Sequence, residues 1–322
     1  MSNDAVNNAN ALKLIVVGVG GAGLNAVNTM IKSQVRGVEY ICVNVSSRRL
    51  NASMAPTRIL LGSDARGLST GGDPEIARRG VAEHRHEIVA ALRDADMVFI
   101  AAGMGSGTGT GATPLIAEIA HESGALVVSI VTTPFRYEGK KRMALAQTGI
   151  KLLAGHTDCL IVIPNEQLIA ISGKGVSLVD AFKPADEILR QAVQGIVELI
   201  TSAGNINVDF NDVRTVMKER GTTMIGIGTA FGENRAVEAC TKAVGTPLLM
   251  ETDLKGVRGL LVNITASSEM TMDEFDAITE YFHEKVTDDT NIIIGLVIDE
   301  QMKGEVKVTV IATGLQLPGQ FL

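Results

Sequence analysis

Residues 103–111, Gly-Met-Gly-Ser-Gly-Thr-Gly-Thr-Gly, place five glycines in nine positions. An apolar run, Asp96 to Ala102, precedes them, and a helix-compatible segment, Thr113 to His121, follows. Strand, glycine loop and helix in that order build a phosphate cradle: glycine lets the backbone turn tightly and approach a ligand closely. The free N–H groups at the start of the helix then favour an anion. Thr108 and Thr110 can add hydroxyl donors. No Gly-Lys-Ser/Thr follows, so this is not a Walker loop.

The pattern repeats along the first half. Strand-like runs are expected over 13–19, 38–44, 96–102, 125–131 and 159–164, with helices over 24–32, 74–92 and 113–122 between them. Alternation of this kind predicts an α/β fold with a doubly wound parallel sheet. Ligands in such sheets bind beyond the C-terminal strand ends. The chain has only eight Phe, three Tyr and no Trp, so its core must be mostly aliphatic, which suits parallel strands covered on both faces. Apolar residues spaced from Leu178 to Ile200 predict a long central helix touching both halves. After Ala203-Gly204 the pattern changes. Strands over 222–230, 259–266, 291–298 and 305–312, with helices over 234–244 and 272–285, predict a smaller α+β domain.

The expected organisation is a disordered arm over 1–11, a nucleotide-binding domain over 12–177, the central helix over 178–202, the C-terminal domain over 203–315 and a short tail over 316–322. With 46% hydrophobic residues, 322 residues can bury a large core. The formal net charge of −7 argues against nucleic-acid binding. No apolar run reaches the ~18–20 residues of a membrane span, and the start lacks signal-peptide character. Cys42, Cys159 and Cys240 form no CxxC pair and read as reduced core residues of a cytoplasmic protein. His84-x-His86 has the wrong spacing to share a helix face, and no metal site is expected among protein side chains.

A second glycine loop, Gly18-Val-Gly-Gly-Ala-Gly23, joins the first strand to a helix and satisfies G-x-G-x-x-G. A dinucleotide fold would also want an acidic residue closing the second strand, and that strand closes on Asn44 instead. Two glycine loops at adjacent strand ends suggest a mononucleotide held from both sides. A third loop, Gly67 to Asp73, reads equally as a phosphate contact or as a cap with Asp73 before Pro74. Glu138 and Arg142, at i, i+4, read equally as a helix ion pair or as ligand contacts. Asp209 and Asp212 precede an expected helix over 213–220. They could orient a water or gather a cation, although spacing favours a helix cap and dipole partner. They also fall on the far side of the sheet from the glycine loops.

Several segments together resemble the FtsZ family of bacterial tubulin relatives. These are Gly20-Gly-Ala-Gly-Leu-Asn25, Gly105-Ser-Gly-Thr-Gly-Thr-Gly111, Pro134-Phe135 with Glu138-Gly-Lys-Lys-Arg-Met143, Ile163-Pro-Asn165, Asp180-Ala-Phe182, and Asn207 through Met217. The resemblance runs in order from about Leu12 to Leu315. It implies a cytoplasmic GTPase of the division site that polymerises head to tail, the acidic loop of one subunit completing the next subunit's GTP site.

The resemblance further implies that Asp209 and Asp212 position the attacking water with help from Asn207. Gly20, Gly21, Ala22, Gly23, Asn25, Asn44 and Met104, Gly105, Ser106, Gly107, Thr108, Gly109 would hold phosphates. Thr132, Pro134, Glu138 and Arg142 would lie near ribose and phosphates, and Asn165, Phe182 and Asp186 would face the guanine. Magnesium would be held mainly by phosphate oxygens and water. The chain departs from the family in having Asn44-Val45-Ser46 where Asn-Thr-Asp is usual, and Ser106 where a further glycine is usual. It stops at Leu322, short of the family's tether-binding tail. The alternative expectation is a tail-less paralogue with reduced GTPase activity and no direct membrane binding, acting as a copolymer partner of a full-length FtsZ or in another process such as magnetosome formation.

Overall fold

The computed structural model describes residues 12–62, 69–172, 183–201, 208–219, 221–246, 249 and 254–315. The expected arm and tail, the first five residues of the expected central helix, and the site candidates Phe182 and Asn207 lie outside them.

The elements follow in the order β1 (Leu14–Val19), α1 (Gly20–Lys32), β2 (Glu39–Asn44), α2 (Ser47–Leu50), β3 (Thr57–Leu60), α3 (Pro74–Glu83), α4 (Arg85–Ala91), β4 (Met97–Gly103), α5 (Gly107–Glu122), β5 (Leu126–Thr133), α6 (Lys140–Leu153), β6 (Cys159–Pro164), α7 (Asn165–Ser172), α8 (Lys183–Thr201), α9 (Phe210–Met217), β7 (Thr222–Phe231), α10 (Arg235–Val244), β8 (Gly259–Ala266), α11 (Met272–His283), β9 (Asn291–Ile298) and β10 (Glu305–Leu315). The strands form a ten-stranded sheet in the order β3-β2-β1-β4-β5-β6-β7-β10-β8-β9. From β3 to β7 neighbours are parallel, whereas β10 runs antiparallel to both β7 and β8. The two halves therefore share one sheet, joined where Leu160 and Ile161 pair with Thr222 and Thr223.

β1 shows why the first half is two-faced. All six of its residues are buried. Leu14 and Val16 enter a core with α1, α8 and α9, while Ile15, Val17 and Val19 enter a second core beneath α3 to α6. Alternation along the strand sends neighbours to opposite faces. The central helix α8 buries Leu189, Val193, Ile196 and Val197 in the first core, beside Ile225, Leu261 and Ile311 of the C-terminal half. Each such side chain stabilises the fold by about 1.5–3 kcal/mol relative to exposure. Asn263 Nδ2 also donates to the Gly195 carbonyl at 3.2 Å, tying β8 to α8.

Several expected boundaries move. The helix expected from Leu24 begins at Gly20, and the one expected from Thr113 begins at Gly107. Low glycine helix propensity argues for a loop, but packing overrides it. A Cβ on Gly23 would overlap the Ala101 carbonyl, one on Gly109 the Gly103 carbonyl, and one on Gly111 the Pro74 carbonyl. These glycines let helices lie directly on neighbouring backbone. The single helix expected over 74–92 breaks at His84, whose Nδ1 meets the Gly80 carbonyl at 2.9 Å. The helix expected over 213–220 is instead Phe210–Met217, because Asp209 caps it.

Candidate functional site

The C-terminal ends of β1 and β4 open into two helix N-termini that meet. At the first, no side chain caps α1, no acidic residue stands in its first turn, and Gly20 adopts φ +73°. The first-turn amides of such a helix lack intrahelical partners and carry its positive dipole end. At the second, Gly105 takes φ +84° and lies against Pro134 and Arg142. A Cβ on Gly20 would stand 3.3 Å from the Gly109 nitrogen, so the two glycine segments are in contact.

Ser106 caps α5: its hydroxyl accepts from the Gly109 amide at 3.1 Å and donates to the Gly103 carbonyl at 3.0 Å. The Gly105 amide donates to Thr110 Oγ1 at 2.8 Å. Among the described residues, no partner engages the amides of Gly107 and Thr108. They remain to bind an anion. The Ser106 side chain, expected at phosphate, is engaged within the loop.

The next strand ends add polar groups. The Thr132 carbonyl accepts from the Met104 amide at 2.9 Å, and Thr132 is buried beside Gly103. Arg142 ion-pairs with Glu138 and donates from Nε to the Gly105 carbonyl at 3.2 Å. Glu138 also accepts from the Phe135 amide at 3.0 Å. The i, i+4 pair thus joins the short turn Arg136–Glu138 to the start of α6, across Gly139, and also braces the glycine loop. Asn165 starts α7 at the end of β6, and Asp186 lies in the first turn of α8, where burial raises its carboxyl to about 6. Asn25 sits on α1 with an exposed side chain.

Two buried groups test whether a nucleotide fits. Among the described residues, Asn44 Nδ2, at the end of β2, and Asn165 Oδ1 find no hydrogen-bond partner. Their side chains are almost fully buried. Buried polar atoms are rarely left unpaired, and these two stand at opposite limits of the row of strand ends where phosphate and base would lie. A donor-accepting phosphate and a donor-rich base would complete them. Asn44 Oδ1 already accepts from the Ser46 amide at 3.1 Å.

The third glycine loop is described from Ser69 onward. Asp73 caps α3 through the Glu75 amide at 2.9 Å, with Pro74 at the first helical position. Thr70 packs on Gly107. Arg49 of α2, which sequence reasoning passes over, lays its guanidinium against Gly21.

The acidic candidates stand elsewhere. Asp209 caps α9, accepting from the Asn211 amide at 2.7 Å, and Asp212 lies in the first turn. Both are exposed. Val213, Val216 and Met217 bury the opposite face of α9. Arg214 donates to the Gly124 carbonyl at 3.1 Å, just before β5 begins. α9 therefore sits at the N-terminal end of β5, whereas the glycine cradle lies beyond the C-terminal ends. The eight residues of β5 separate them by roughly 23 Å at 3.3 Å per residue. One chain does not bring both sets to one substrate.

The Tubulin/FtsZ family GTPase-domain model matches residues 13–173, and the FtsZ family C-terminal-domain model matches 221–316. The chain is 48% identical to the cell division protein FtsZ of Coxiella burnetii over 301 residues, 93% of this chain and 78% of that one. It is 46% identical to the FtsZ of Buchnera aphidicola subsp. Schizaphis graminum over 316 residues, 98% and 80% of the two chains. An FtsZ dimer structure from M. jannaschii superposes with TM-score 0.91 at 41% identity, covering 98% of this chain and 93% of that one. A CetZ2 protofilament structure from Haloferax volcanii shares the fold, with TM-score 0.80 at 19% identity over 96% and 95% of the two chains.

Proposed function

Because this chain belongs to the FtsZ family of tubulin-like GTPases, we propose that it binds GTP in the glycine cradle and stacks head to tail with copies of itself. Hydrolysis then occurs where the acidic end of one subunit closes on the cradle of the next. The observation that carries this reading is the division of the machinery between the two ends of the sheet. A heterologous contact of this kind propagates into a filament, and a filament of FtsZ type serves cell division in the cytoplasm. Another member of the family could share the same contact.

Each residue has a role in this reading. The amides of Gly20, Gly21, Ala22 and Gly23, with those of Gly107 and Thr108, receive phosphate oxygens, aided by Asn25 and the free Asn44 amide. Met104, Gly105, Ser106 and Gly109 shape that loop. Thr132, Pro134, Glu138 and Arg142 border the ribose, the last two as a pre-formed pair. Asn165 and the Asp186 carboxylate accept from the guanine edge, and Phe182 stacks on it.

Across the junction, Asp212 orients the attacking water and draws off its proton, because its carboxylate is unengaged among the described residues. Asp209 chiefly holds α9 in register, and Asn207 assists. Phosphoryl transfer of this type rests on positioning and electrostatics rather than covalent catalysis.

Magnesium would supply charge neutralisation on the phosphates. Among the described residues no cluster of His, Cys, Asp and Glu could hold a metal. The carboxylates at the cradle's rim, Glu138 and Asp73, are engaged by Arg142 and the Glu75 amide. The residues present fit an ion held by phosphate oxygens and water. The test of the reading is Asp212→Ala: GTP titrates normally into the variant, while its turnover falls to background. Normal turnover refutes the assignment.

A further inference from the structure

We propose that Arg49 contacts the outermost phosphate of the bound nucleotide and supplies a fixed positive charge there, so that triphosphate is preferred to diphosphate even without a divalent cation. The inference rests on the GTP reading above and deepens it.

Three observations carry it. The Arg49 guanidinium lies on Gly21, so close that a Cβ there would overlap Nη1. Gly21 belongs to the uncapped first turn of α1. Among the described residues no carboxylate pairs with Arg49, so its charge at Gly21 is not neutralised by the protein. An exposed, unpaired guanidinium held over a helix N-terminus repels that dipole end, and an anion between them relieves both.

The strand order then says which phosphate is within reach. From Asn165 and Asp186 at the β6 side, the row of strand ends passes β5 and β4 to β1 and β2. A nucleotide laid along it with its base at β6 puts its last phosphate towards β2, where α2 begins. The Arg49 backbone is fixed in place. Leu50 is buried, the Arg49 carbonyl accepts from the Ala52 amide at 3.0 Å, and Asn28 of α1 bonds Ala52 and Met54 at 3.2 and 2.7 Å.

The test is calorimetric titration of GTP and of GDP into the unaltered chain, Arg49→Ala and Arg49→Lys, each with magnesium and with EDTA. The unaltered chain should retain its GTP preference in EDTA. Arg49→Ala should lose about ten- to a hundredfold in GTP affinity there, the size of one charge-assisted contact, with GDP affinity nearly unchanged. Arg49→Lys should recover part of the loss, as a point charge without the guanidinium fork. Equal GTP affinity in Arg49→Ala and the unaltered chain overturns the inference alone. An equal loss for GDP also overturns it, by moving the contact to an inner phosphate. An unaltered chain that binds neither nucleotide with magnesium overturns the GTP reading and this inference with it. Arg49 is exposed, so the variants should melt with the unaltered chain, and a lowered melting temperature would overturn the assignment of a pure ligand contact.

Discussion

Gly109→Ala separates two reasons for a glycine. Gly109 has ordinary helical backbone, so alanine suits its φ and would raise local helix propensity by about 1 kcal/mol. The added Cβ, however, would stand within the envelope of the Gly103 carbonyl oxygen and 2.9 Å from the Ser106 hydroxyl. Restoring ordinary contact requires the start of α5 to withdraw by about 1 Å. That displacement strains the core by about 1–3 kcal/mol and disturbs the Ser106 cap, worth about 1 kcal/mol. Set against the propensity gain, the net loss of stability is about 1–3 kcal/mol.

The effect on binding is larger. The Gly107 and Thr108 amides move with the helix, and two charge-assisted hydrogen bonds at about 1.5–3 kcal/mol each are weakened. Affinity for GTP then falls by about a hundredfold or more. Thermal unfolding and GTP titration on the same preparation read both numbers. Gly155→Ala is the control, because a Cβ there meets only the Leu152 carbonyl at 3.5 Å. Unaltered melting and unaltered GTP affinity in Gly109→Ala would refute the argument that close backbone packing explains this glycine.

Asp209→Ala should destabilise α9 by about 1 kcal/mol through loss of its cap, whereas Asp212→Ala should remove turnover with less effect on melting; denaturant titration beside phosphate release distinguishes them. GTP affinity should weaken as pH falls through about 6, because Asp186 is then protonated and no longer accepts from the base. Asp186→Asn should bind more weakly and flatten that profile. The sign for stability is opposite: a folded value raised from 3.8 to about 6 means that the free protein loses stability as pH rises through that window, which melting curves without nucleotide should show. Ile196→Ala, at a fully buried position of α8, should destabilise the fold by about 2–5 kcal/mol, measured by denaturant unfolding.

The sequence is most legible where local signals and tertiary packing agree. β6, β8 and β9 end where their apolar runs end; the first two are buried along nearly their whole length, and β9, mostly half-buried, still keeps an unbroken apolar run. β3 is not legible, since it is four residues long with Thr57 and Arg58 exposed. The glycine helices are misjudged by propensity, because the need for glycine at 23, 109 and 111 comes from backbone on other elements. Asn44 and Arg142 stand out through chain order and motif, but the orphaned Asn44 amide and the Arg142 bond to the Gly105 carbonyl belong to the folded chain. Arg49 carries no motif, and only the packing of α2 on α1 brings it to the cradle. Placement of the acidic pair away from the glycine loops was legible, because the chain reaches Asp209 only after crossing the sheet along α8.

The central claim is that the hydrolytic site forms between subunits. GTP hydrolysis per chain, measured with magnesium across a dilution series, tests it most directly. A rate per chain that is negligible when dilute and rises steeply above a threshold concentration is predicted. A constant rate per chain down to concentrations at which the protein is monomeric would contradict it.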